Sequence, residues 1–138
     1  MEKIQMPKYF VCSIGEPGEG YDDENLCRCI KDKGYRLNLG CTQRGPIEDI
    51  QTGDILILKY KDELIGYGRV TDKVQKEQET PANQGWGFIV PVTLWITGSR
   101  VPKYGIQVAQ LSGSPYDAVK EVQRSFALEK IEDIGFPF

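Results

Sequence analysis

The chain is 138 residues long, 40% hydrophobic and 27% charged, with a net charge of −3 and no histidine. That length suits one domain spanning residues 1–138, and no apolar run approaches the roughly 18 residues that a membrane span needs. The missing histidine removes Ser-His-Asp and Cys-His catalysis, imidazole general bases and histidine-containing metal sets together, which excludes most common hydrolase designs.

Met1 to Pro7 lacks the apolar core of a signal peptide, so a cytoplasmic protein with reduced thiols is expected. Tyr9 to Ile14 is a short apolar run closed by Gly15 and Pro17-Gly18, which predicts a first strand and a loop. Glu16, Glu19, Asp22, Asp23 and Glu24 follow. Sequence-adjacent acids without a defined loop motif read as a solvated approach to a helix rather than as a metal site. The helix takes Asp22 or Asp23 as its cap, has Leu26 and Ile30 on one face and Lys31 and Lys33 at its negative end, and stops at Gly34.

Of the four cysteines (Cys12, Cys27, Cys29, Cys41), Cys27 and Cys29 are two apart on this helix and point about 200° apart around its axis. There is no Cys-x-x-Cys spacing, and the set reads as small buried or idle thiols; no metal and no cofactor are expected. Tyr35 to Leu39 alternates, with Tyr35, Leu37 and Leu39 facing one way in a short strand. Between residues 26 and 45, Arg28, Lys31, Lys33, Arg36 and Arg44 stand against Asp32 alone, so an acidic protein carries a locally basic stretch of the kind a phosphate backbone meets.

Gly53 to Leu58 and Ile65 to Val70 form a β-hairpin around the exposed turn Lys59 to Glu63, with Ile55 to Leu58 apolar on both faces as in a covered sheet. Gly66 and Gly68 share one face of the return strand, leaving room for another backbone or a flat ligand. No helix follows these glycines, so a dinucleotide fold does not fit. Residues 72–85 are a long polar connection ending at Trp86, and Phe88 to Ile96 predict another strand with an edge or bulge at Pro91. Ser114-Pro115-Tyr116-Asp117 reads as the start of a capped helix with Ala118, Val119, Val122 and Phe126 on its apolar face. Strands interrupted by helices predict an α+β fold built on a small barrel.

The series Gly53-Asp54-Ile55, Gly66-Tyr67-Gly68, Trp86-Gly87-Phe88, Leu94-Trp95-Ile96 and Val101-Pro102 resembles the EVE and YTH domains of the PUA-like superfamily. Strand Tyr9 to Ile14, Asn25 opening a helix and Gly34-Tyr35-Arg36-Leu37 agree with it in outline, so the resemblance spans nearly the whole chain. It implies a PUA-like mixed β-barrel of about five to six strands flanked by helices. It also implies a pocket walled by aromatic rings that holds a modified base such as methylated cytosine or adenine. The family pattern of glycine, hydrophobic residue and tryptophan after the first helix reads Gly34-Tyr35-Arg36 here. The Tyr35 ring or the Arg36 guanidinium then takes the missing wall, since arginine stacks on bases. Trp86 matches the loop-end wall, Trp95 a packing tryptophan, and Ser13 and Asn25 the places of polar contacts to a base edge. Tyr67, in the Gly-x-Gly strand, completes the ligand-binding set.

The reading is a non-enzymatic nucleic-acid-binding domain, a reader of a modified base in DNA or RNA. Two alternatives stay open: a hydrolase or RNA-processing enzyme of the related ASCH type using carboxylates from Glu16 to Glu24, and a module that binds a protein partner.

Overall fold

The computed structural model describes residues 6–14, 22–41, 44–60, 63–81, 85–97 and 118–134. The elements are β1 (Tyr9–Ser13), α1 (Asp22–Asp32), β2 (Gly34–Leu37), a 3-10 turn (Ile47–Asp49), β3 (Ile55–Tyr60), β4 (Glu63–Arg69), β5 (Gln75–Lys76), β6 (Phe88–Pro91), β7 (Ile96–Thr97), β8 (Val119–Val122) and α2 (Arg124–Ile134). Five strands form one sheet in the order β7-β4-β3-β1-β8, and three form another in the order β2-β6-β5.

β1 runs parallel to β3 and antiparallel to β8, pairing Tyr9 with both Ile55 and Val122. Alternation along β1 and β3 splits their side chains between two cores. Phe10, Cys12, Leu56 and Leu58 join Tyr35, Leu37 and Val90 of the smaller sheet, while Tyr9, Val11 and Ile57 join Leu64, Tyr67 and α2 residues Ala127 and Ile134. The double-sided burial expected of Ile55 to Leu58 follows from this position between two cores. No helix among the described residues is long and apolar enough to cross a membrane.

The α+β class is as expected, and β1, α1, β2 and the β3–β4 hairpin fall near where the sequence places them, but the hairpin strands run longer: Lys59 and Tyr60, expected in the exposed turn, are half-buried in β3, and Glu63 opens β4. The strands do not close into one barrel of five or six. Among the described residues they make two sheets, joined along a seam where Val70, just past β4, bridges Val92, just past β6. Thr71 N–H donates to Pro91 O, and Thr93 N–H to Arg69 O, on either side of that bridge.

Several local expectations change. The predicted strand Phe88 to Ile96 is two strands with a crossing between them, because the chain leaves β6 at Pro91 to run beside β4. Pro91 ends β6 opposite Gly34 and beyond Ile89, the last β6 residue paired with β5, so its missing N–H breaks no ladder there. The polar connection contains the short edge strand β5. The helix expected over Ala118 to Phe126 is instead strand β8 followed by α2: Val119 and Val122 are β-branched and pair with Cys12 and Tyr9 across β1. Its supposed cap, Ser114 to Asp117, lies outside the described residues, as do Glu16, Glu19 and Val101-Pro102.

At the end of α1, Lys33 takes the left-handed conformation (φ 52°) expected of glycine. Gly34 serves a different need, since a Cβ there would lie 2.9 Å from Ile89 Cγ1. On α1 the buried positions are Asn25 and Cys29, one turn apart, with Leu26 half-buried and Ile30 exposed. The space beside Gly66 and Gly68 holds protein: a Cβ would sit 2.9 Å from Ile96 O at Gly66, and 2.7 Å from Leu94 O at Gly68.

Candidate functional site

β2 is the hub of the expected ligand-binding residues. Its alternation sends Tyr35 inward and Arg36 to the opposite face, beside α1. Tyr35 is wholly buried, and its hydroxyl donates to Ser13 O at 2.6 Å, tying the end of β1 to the smaller sheet. Burial raises its pKa well above the usual phenol value, with the neighbouring thiols of Cys12, Cys29 and Cys41 adding to the shift. Tyr35 is therefore a core ring rather than an open wall of a cage. Ser13 is half-buried, and its N–H donates to Ala118 O.

Arg36 makes three hydrogen bonds at once. Nε donates to Asp32 Oδ2 at 2.9 Å, and Nη1 donates to Glu77 Oε1 and to Trp86 O, both at 2.8 Å. Burial works to lower the guanidinium pKa, but the bonds to Glu77 and Asp32 outweigh it and the pKa rises. With its edge taken by three acceptors, Arg36 is committed to holding the backbone and does not offer the free stacking plane that the sequence suggested.

The same bonds fix Trp86. Extending the β2–β6 register would set Leu39 opposite Trp86, but Leu39 N–H donates to Gly85 O at 2.8 Å, where Gly85 turns the chain with φ 86°. The Trp86 carbonyl goes to Arg36, and Gly87 O accepts from Glu77 N–H at 2.8 Å. Three consecutive carbonyls are thus held from two segments, β2 with its continuation to Leu39 and the residue after β5. Gly87 permits this approach: a Cβ there would lie 2.5 Å from Glu77 O and 2.9 Å from both Leu39 methyls. Trp86 is 7% exposed, yet belongs to neither core cluster of the described residues.

Asn25 sits one turn into α1, fully buried, with Nδ2 donating to Arg36 O at 3.1 Å. That bond fixes the amide orientation, since a flipped amide would set two oxygens face to face. Its Oδ1 is buried without a hydrogen-bond partner, a state that costs about 1–3 kcal/mol. Asn25, Arg36, Trp86, Tyr35 and Ser13 therefore form one connected group, whereas Tyr67 lies in the second core, away from it. Trp95 packs as expected, half-buried against the first core with its indole N–H donating to Cys29 O at 2.9 Å. Phe88 is likewise half-buried and packed against the first core.

Sequence reasoning did not anticipate Asp32 and Glu77 as partners of Arg36, nor the need for Gly87. The glycines on either side of Trp86 were the available signal of a constrained backbone. No group of three or more Cys, Asp or Glu side chains among the described residues could hold a metal ion.

No protein-family model matches the chain, and none of the curated proteins matches its sequence. Solved structures do match. Protein Atu2648 from Agrobacterium tumefaciens aligns over 94% of this chain and 94% of its own, with a TM-score of 0.60 and 11% identity. Rpa0253 from Rhodopseudomonas palustris aligns over 93% of each chain, with a TM-score of 0.57 and 10% identity. The YTH domain of MmI1 aligns over 91% of this chain and 92% of its own, with a TM-score of 0.57 and 12% identity. The chain thus shares its fold with these three structures, a YTH domain among them.

Proposed function

We propose that this chain is a non-enzymatic nucleic-acid-binding domain that reads a modified base, unpaired or flipped out of a duplex, against the ring of Trp86. The observation that carries this reading is the backbone clamp on Gly85, Trp86 and Gly87, which holds a large ring in place outside both core clusters. The shared fold with a YTH domain supports it.

Stacking on one aromatic ring contributes about 1–3 kcal/mol per base, and extruding a base costs a few kcal/mol. One ring about balances that cost, so selectivity rests on polar contacts. Asn25 Oδ1, an acceptor without a donor, is fully buried, so Asn25 serves the site through its bond to Arg36 O rather than by touching the base. Arg36 acts by positioning, through the Trp86 carbonyl and Asn25, while Tyr35 and Ser13 brace β2 from behind.

The chain has two tryptophans, so replacing Trp95 by Phe leaves Trp86 as the sole indole reporter. Titrating that variant with oligonucleotides carrying a methylated or an unmethylated base is expected to change Trp86 emission, more strongly with the methylated strand. Trp86→Ala is expected to weaken binding about tenfold or more. Unchanged emission, together with wild-type affinity of Trp86→Ala at low salt, would overturn the reading.

A further inference from the structure

Phe88 lies two residues beyond Trp86 and has two cations against its ring. The Arg44 guanidinium carbon is 5.0 Å from the ring centroid and Lys76 Nζ is 5.9 Å from it. The β5–β6 register sets Lys76 directly opposite Phe88, and the Arg44 carbonyl accepts from Val119 N–H at 3.3 Å, which anchors that segment beside the sheet. Neither cation forms an ion pair with a carboxylate among the described residues. The nearest acid in sequence to Lys76, Glu77, is engaged by Arg36. Arg44 also lines a surface cavity of about 260 Å³ with residues of the 3-10 turn, including the exposed acids Glu48 and Asp49, whose charge disfavours an anion inside that cavity.

Among the described residues, Arg44 and Lys76 are two cations without a carboxylate partner held against one ring, which concentrates charge of one sign there. The site also has a register with Trp86. Glu77 N–H to Gly87 O continues the β5–β6 ladder past Phe88. Residues two apart on such a chain project to the same side and stand about 7 Å apart, one step of an extended nucleic-acid strand.

We propose that Arg44, Lys76 and Phe88 form a phosphate subsite that grips the phosphodiester next to the base held at Trp86, an inference that rests on the reading of Trp86. The ring holds both cations beside it, and the strand's phosphate supplies the opposite charge. Recognition then divides between the two places: the base is read at Trp86, and sequence-independent affinity comes from Arg44 and Lys76.

The test is the salt dependence of single-stranded oligonucleotide binding by wild type, Arg44→Gln, Lys76→Gln, the double variant, and Lys130→Gln. Lys130 is a matched control: its Nζ lies 5.5 Å from the Phe126 ring centroid on α2. Arg44→Gln and Lys76→Gln are each expected to reduce the slope of log affinity against log salt by about 0.7, leaving the ratio of modified to unmodified binding unchanged. Lys130→Gln is expected to keep the wild-type slope. Wild-type slopes in the Arg44 and Lys76 variants, or an equal loss in Lys130→Gln, would overturn the subsite while leaving the reading of Trp86 standing. Reduced slopes in a protein that binds modified and unmodified strands equally would sink the base reading and keep the subsite. No oligonucleotide binding by the wild type would overturn both.

Discussion

Arg36 joins Asp32, four residues back at the end of α1, to two sites far along the chain, Glu77 after β5 and the Trp86 carbonyl. Its pairings are only partly shielded, since the Asp32 and Glu77 side chains are 35% and 47% exposed. Freed carboxylates would therefore hydrate, and the greater loss on truncation is the partner of a buried carbonyl. Arg36→Ala is expected to destabilise the fold by about 2–3 kcal/mol in urea unfolding followed by near-ultraviolet circular dichroism. Arg36→Lys keeps the charge but has one nitrogen where the guanidinium brings two to three acceptors, so an intermediate loss is expected. The resemblance to EVE and YTH domains puts a tryptophan at this place; here the position works through the backbone of another tryptophan.

Among the elements, the packing of β5 against β6 is the tightest constraint near the candidate site. Gly87→Ala pushes a methyl onto Glu77 O and Leu39, which forces the two strands apart and displaces Trp86. A loss of about 1–3 kcal/mol is expected in urea unfolding, with weakened oligonucleotide binding in the same variant. The sequence marks β1, α1, β2 and the hairpin clearly, because each combines apolar periodicity with glycine or proline at its ends. β5 leaves no such mark: Gln75 and Lys76 are exposed edge residues held by backbone pairing alone. β8 misleads because Val119, Val122 and Phe126 repeat at helical spacing, whereas Val119 and Val122 belong to a strand whose middle residue Lys120 is itself buried. At the site, Tyr35 and Leu37 face one way as their alternation indicates. The clamp on Trp86 was illegible, since its partners become neighbours only through the register of β2, β5 and β6.

At the scale of the molecule, the first core encloses three groups that lose their protons only at high pH. Burial pushes the Cys29 thiol up to about 12, and burial also raises Cys12 and Tyr35 well above their usual values. In an unfolded chain a thiol titrates near 8.5, so above that pH the unfolded state releases protons that the native state keeps. The stability these groups contribute is fully present below pH about 8.5 and falls as pH rises toward 12. The urea midpoint is expected to drop between pH about 9 and about 11, and Cys29→Ala is expected to flatten that drop, measured as midpoint against pH.

β1 lies between β3 and β8, with Tyr9 paired to both Ile55 and Val122. During synthesis the β3 side of β1 becomes available early, while its other edge stays bare until Val122 has left the ribosome. For most of translation the nascent chain therefore carries an unpaired, apolar strand edge of the kind that recruits other chains. A ribosome that stalls between the codons for Tyr60 and Val119 leaves a half-built sheet whose natural remedy, β8, has not yet been made.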